Sequence, residues 1–148
     1  MTLEAILAAF HLLAILTFVV FLSSQAALCR IEWLNAAVVE RLARLDVIYG
    51  VAGAVMIGSG LARLMWGVKG ASWYLSQPLF HIKITLVLAM VVLSFVPSAA
   101  FRRWRQTLRS TGALPPAAEV ARVRRLVMIQ SHVLPVVAVI AVFWARGW

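Results

Sequence analysis

Three histidines and one lysine stand inside long apolar runs of this 148-residue chain: His11, His81, Lys83 and His132. An ionisable group inside a bilayer costs about 2.5–3.5 kcal/mol on insertion scales, so each of the four needs a reason. Helical rise sets their depth, at about 1.5 Å per residue. His11 follows Leu3 by eight residues and His81 follows Trp73 by eight, so both lie about 12 Å into their segments. Two imidazoles at one depth on different helices suit a b-type haem. The iron takes two axial nitrogens, and facing helices of a bundle can seat the flat macrocycle. Its propionates need a cation near the interface, and Arg63 at the end of the second apolar run offers one. His132 lies about 10 Å from the opposite end of its segment, in the other half of the bilayer. The competing reading makes each histidine neutral and hydrogen-bonded between helices.

Lys83 follows His81 by two residues, about 200° around a helix. A regular helix therefore cannot aim both at one atom. Lys83 shares its face with Val87, Met90, Ser94 and Pro97, whereas His81 shares its face with Thr85, Leu88 and Val92. Three roles are open to Lys83: a second iron ligand when neutral, a partner for a propionate or anionic substrate, or a snorkelling lysine.

The elements that must position these groups are four apolar runs of membrane-spanning length, 3–28, 47–66, 73–101 and 126–145. Hydrophobic residues make up 64% of the chain and charged residues 13%, which excludes an ordinary soluble domain, a disordered chain and a coiled coil. None of the runs alternates with period two, so the expected fold is all-α. It is an integral membrane four-helix bundle, antiparallel and up-down, forming a single domain over 1–148. The first run has no preceding basic residue and is too long for a signal peptide. One cysteine, Cys29, excludes an intrachain disulfide.

The net charge of +9 is an orientation signal rather than a nucleic-acid footprint. Ten arginines fall in the first and third loops: Arg30, Arg41, Arg44, Arg102, Arg103, Arg105, Arg109, Arg122, Arg124 and Arg125. Arg63, Lys69 and Arg146 fall on the other side. The positive-inside rule places both loops in the cytoplasm and both termini outside. Trp33, Trp66, Trp73, Tyr74, Trp104, Trp144 and Trp148 lie near span ends, as in an aromatic belt. Within the first loop Ile31, Leu34, Val38, Leu42 and Leu45 recur at helical spacing. They predict a short amphipathic helix between spans one and two, lying at the interface or extending a span. Asp46 is positioned to cap the second span. The basic loop 102–125 is the long connection, broken at Thr111-Gly112 and Pro115-Pro116, with helix resuming over 117–125. Its arginines are solvated charge or contacts for anionic headgroups.

Asp46, Gly50, Gly53, Ile57 and Gly60 share one face of the second span. Small residues admit another backbone or a flat ligand, so Gly50, Gly53 and Gly60 are also a route to a homo-oligomer. Pro135 is placed to kink the fourth span. Copper could draw on the histidines with Met56, Met65, Met90 or Met128, although no Met-x-x-Met cluster gathers them.

Several elements in order carry a resemblance: Arg44-Leu45-Asp46, Tyr49-Gly50, Gly60-Leu61-Ala62-Arg63, Lys69-Gly70 with Trp73-Tyr74, Phe80-His81-Ile82-Lys83, Ser94 with Pro97, and Ala145-Arg146-Gly147. Together they resemble the bacterial membrane family known as domain of unknown function 2214, over nearly the whole chain. That resemblance implies a bacterial inner-membrane protein. More distantly, Phe10-His11-Leu12 and His81-Ile82-Lys83 resemble the HemJ-type protoporphyrinogen oxidases, a wider group that includes CopD-type copper-resistance proteins. The HemJ resemblance implies a four-helix membrane protein with b haem held by His11 and Lys83. Where that family has a Tyr-His pair late in the third span, this chain reads Ser94–Ala99.

The functional expectation is a membrane protein that binds haem b through His11 and His81, with Lys83 the alternative ligand and Arg63 on a propionate. It would act in redox chemistry, exchanging electrons with a quinone or another membrane carrier. Two alternatives stand beside it: a copper or small-solute permease, and a non-catalytic oligomerising bundle.

Overall fold

The computed structural model describes residues 2–67 and 70–145; Lys69, Arg146 and Trp148 lie outside them. Five α-helices account for most of the chain: α1 (Thr2–Leu28), α2 (Ala36–Trp66), α3 (Gly70–Leu75), α4 (Pro78–Thr111) and α5 (Ala117–Ala145), with a 3-10 turn over Ile31–Trp33. Four of them, all but α3, are long and apolar enough to cross a membrane. They pack as an all-α antiparallel bundle. α1 lies chiefly against α2, and α4 against α5; α2–α4 and α1–α5 contacts close the ring. Leu13, Leu16, Val20, Leu88 and Val92 are exposed on the outside, where lipid tails accept them without cost.

Helix ends follow local chemistry. The Asn35 side chain accepts the Val38 N–H at 3.0 Å, so Asn35 rather than Asp46 caps α2. Asp46 sits in the helix interior and is buried. Of the first-loop pattern, Val38, Leu42 and Leu45 lie in the first turns of α2, where Val39 and Leu42 are fully buried, whereas Ile31 lies in the 3-10 turn and is exposed. Gly112 ends α4 in the left-handed conformation, φ 72°, with its N–H on the Leu108 carbonyl at 2.9 Å. Pro115 and Pro116 then keep the chain extended until α5 begins.

Two boundaries differ from the sequence expectation. The basic segment 102–125 is helix except for residues 112–116, because both flanking spans run on past the bilayer. α4 has 34 residues, whereas about 20 cross a hydrocarbon core. The third span also begins at Pro78 rather than Trp73. Ser76 and Gln77 separate α3 from α4, and a proline suits the first turn of a new helix because its missing N–H is not needed there.

The projecting arginine side holds the tightest packing. Phe101, Leu22, Leu42, Val39, Val120 and Val127 are all under 2% exposed. Trp104, 2% exposed, donates its indole N–H to Glu119 at 2.8 Å. Glu119 also pairs with Arg103, and Glu40 of α2 receives Arg109 at 2.6 and 3.0 Å and Arg105 at 3.1 Å. Part of the predicted solvated charge is therefore a clamp tying α4 to α2 and α5. Toward the side holding the termini the helices part around a cavity.

Candidate functional site

The cavity has a volume of about 1160 Å³ and is walled by α1, α2, α3, α4 and α5. Small-molecule sites are usually about 300–1,000 Å³, so this one has room for a large apolar ligand. The glycine face of α2 lines it. Asp46, Gly50, Gly53, Ile57 and Gly60 all border the space. A Cβ on Gly50 would meet nothing within 4 Å, whereas one on Gly53 would meet Phe18 at 3.3 Å and one on Gly60 would meet His11 at 3.3 Å. The stripe thus borders the cavity, and at Gly53 and Gly60 it packs on α1.

His11 is buried and borders the cavity. Its Nδ1 lies 2.8 Å from Ser59 Oγ, and Ser59 Oγ lies 3.0 Å from the Met56 carbonyl oxygen. Both contacts are satisfied together when the serine hydrogen goes to Met56 and the serine oxygen accepts from Nδ1–H. In that tautomer Nε2 keeps a lone pair, and none of the described residues hydrogen-bonds to it. An imidazole held through one nitrogen with the other bare is the form that ligates iron.

Lys83 and Arg63 border the same space. Lys83 Nζ lies 5.3 Å from the centre of the Trp144 ring, a cation–π approach. Trp144 in turn packs on Tyr74 at 5.1 Å, Trp73 at 5.9 Å and Phe80 at 6.0 Å between ring centres. Tyr74, Trp73 and Trp144 thus close the termini end of the cavity as an inward aromatic cluster rather than an interfacial belt. Trp33 and Trp66 remain exposed, as a belt requires. Trp104 is buried on the arginine side.

His81 is not brought to His11. It is exposed, does not border the cavity, and donates Nε2–H to the Leu75 carbonyl at 2.8 Å, capping the end of α3. The reason is the break before Pro78. His81 is three residues into α4, so about 5 Å deep rather than 12. The wheel argument correctly separates it from Lys83: Val87, Met90 and Ser94 join Lys83 at the cavity, while Leu88 and Val92 face outward with His81. His132 is exposed as well, with Nδ1–H on the Met128 carbonyl at 2.7 Å. α5 continues helical through Pro135, which borders the cavity.

Sequence reasoning missed a polar layer nearer the arginine side. Asp46 Oδ1 accepts from Ser98 Oγ at 2.7 Å and from Gln25 Nε2 at 3.4 Å, and Tyr49 donates to Gln130 Oε1 at 2.7 Å. Gln25 and Gln130 are 2% and 1% exposed. A scan for charge passes over neutral amides in spans; a scan for any hydrogen-bonding side chain at span depth would have found both. Glu4 also borders the cavity. Among the described residues no group of three His, Cys, Asp or Glu side chains gathers to hold a bare metal ion. Met56 and Met90 reach the cavity, and Met65 is exposed outside it.

The residues present fit a haem. One bare imidazole nitrogen, a lysine, an arginine for propionates and apolar walls with an open glycine face converge on one space. Comparison with curated proteins and with solved structures gives no match. A family model described as "Predicted membrane protein (DUF2214)" matches residues 3–148, and the chain belongs to that family of multi-pass membrane proteins.

Proposed function

We propose that the cavity binds haem b and that the protein is a membrane redox carrier or oxidase. The single observation that carries this reading is His11: a buried imidazole, hydrogen-bonded through Nδ1, with bare Nε2 beside a large apolar cavity. His11 would hold the haem iron through Nε2. Lys83, which lies on the cavity face, would serve as the other ligand in place of His81. Arg63 holds a propionate. The bound haem supplies one-electron chemistry at its iron. The chain's own part is to orient the imidazole through Ser59, to clear space for it with Gly60, and to shut the termini end with aromatic rings. The ten loop arginines set the arginine side in the cytoplasm and the haem end outside, by the positive-inside rule.

The absorption spectrum of purified protein expressed with ample haem tests the proposal. A Soret band with sharp reduced α and β bands is expected. It should be lost in His11→Ala, altered in Lys83→Ala and unchanged in His81→Ala. Colourless protein would overturn the reading.

A further inference from the structure

The four long helices pack as two pairs, α1 with α2 and α4 with α5, and the cavity reaches lipid where the pairs part. Its lining includes Val47, Gly50 and Val51 on α2 and Phe95 on α4, all of them exposed. These residues bound an apolar cleft between α2 and α4, and the Ser98–Asp46 hydrogen bond at 2.7 Å joins the two helices beside it. Arg102 follows Phe95 by seven residues, two turns along the same face, and also borders the cavity. It borders a second, shallow groove on the projecting end of α4 together with Arg105, Gln106, Arg109 and Ser110. The apolar cleft and the basic groove thus meet at one guanidinium. Arg102 lies 24 residues beyond Pro78, which is about 36 Å along α4. A hydrocarbon core is about 30 Å thick, so Arg102 stands at the level of the headgroups. Its Nε donates to the Ser98 carbonyl at 3.2 Å, and no carboxylate among the described residues pairs with it. Arg105 and Arg109 are held on Glu40, which Arg44 also faces. The other carboxylate nearby is Asp46, which is buried. Positive charge is therefore in excess here: four arginines against two carboxylates.

We infer that the cleft between α2 and α4 binds an anionic phospholipid from the leaflet on the arginine side, with its phosphate on Arg102 and an acyl chain along Phe95, Val51 and Val47. A guanidinium suits a phosphate because its planar fork donates two parallel hydrogen bonds. Gln106 adds an uncharged donor at the same groove. Asp46 does not compete for Arg102, since it is engaged by Ser98 and Gln25. A choline headgroup would bring its own cation to the arginine excess, so the site favours a lipid of net negative charge. The bound lipid closes the cavity toward the bilayer on this side. Asp46 and Gly60 are 14 residues apart on one helix, about 20 Å, so a headgroup here leaves the His11 end free. Binding of the lipid does not depend on haem.

The test reconstitutes the full chain in nanodiscs of equimolar phosphatidylglycerol and phosphatidylcholine with matched acyl chains. The protein is then extracted into detergent and washed, and the lipid retained per chain is measured by chromatography. Wild type should retain phosphatidylglycerol over phosphatidylcholine by at least about fivefold, the scale of one arginine acting on an anionic headgroup. Arg102→Gln should lose this preference. Arg125→Gln removes the same charge from an exposed position outside the groove and should keep it. A Cβ on Gly50 meets nothing within 4 Å, so Gly50→Leu should fill the cleft and lower retention while the arginines stay in place. It decides the matter if Arg102→Gln does not fold. Equal retention of the two lipids, or equal loss in the Arg102 and Arg125 variants, overturns the inference. So does full retention in Gly50→Leu. Displacement of the lipid by excess inorganic phosphate would reveal a free-anion site and overturns it too. Repeating the measurement on His11→Ala separates the two proposals. Lipid retained there, in colourless protein, supports this site whatever becomes of the haem.

Discussion

Ser59→Ala probes the hydrogen bond that fixes His11. Ser59 is 5% exposed and His11 9%, so the bond between them is buried. The substitution removes the Ser59 partner of His11 Nδ1–H, at a cost of about 1–3 kcal/mol. In a chain of this size 1 kcal/mol lowers the melting midpoint by about 2–4 °C, so the expected loss is roughly 2–12 °C. The Met56 carbonyl loses only an accessory donor. Ser24→Ala is the control. Its hydroxyl donates only to the Val20 carbonyl within one helix, and its removal should fall within about 0.5 kcal/mol. A second readout follows haem affinity. Losing the partner that orients a ligating histidine typically weakens metal binding by about 10–100-fold. The third is tautomeric: ¹⁵N spectra of histidine-labelled protein should show His11 protonated at Nδ1 and bare at Nε2. Melting and haem retention equal to those of Ser24→Ala would refute the argument. So would a hydrogen found on Nε2.

Other expectations follow from the same structure. Gly60→Val should displace the His11 ring, since even a lone Cβ meets Cε1 at 3.3 Å, and should cost the haem spectrum while Gly50→Ala, facing open space, does not. Trp104→Phe should lower stability by about 1–3 kcal/mol in thermal denaturation, through the lost indole hydrogen bond to Glu119. Cys29 is fully buried, and burial pushes its thiol up to about 11 from 9.0. Since the thiolate is the nucleophile, maleimide at pH 7.5 should label it only after unfolding. Because the folded thiol holds its proton more tightly, the associated stability is intact below pH 9 and is lost as pH rises toward 11. His132→Ala should leave any haem spectrum intact.

Much of the architecture was legible in the residues. Four apolar runs in 148 residues have few alternatives to a helical membrane bundle, because backbone polar groups in lipid must be satisfied within each segment. The face that carries Asp46, Gly50, Gly53 and Gly60 could be drawn on a wheel, and it does border the cavity. The face of Lys83 was equally readable. The depth of His81 was not. An apolar run does not mark where one helix stops and the next begins, and the break at Ser76 and Gln77 shifted the origin of the count by five residues.

The sequence by itself determined the solvent, the number of crossings, the asymmetry of charge and the turn-by-turn direction of each side chain. These depend on composition and on a fixed helical period, both local. Only the tertiary structure decided which directions meet. It put Ser59 against His11 across 48 positions and Ser98 against Asp46 across 52. It left His81 on the outside and made a clamp of arginines that looked like solvated charge. Those outcomes rest on the rotation and register of one helix against another. They are set by packing summed over whole interfaces, and no single residue type announces them.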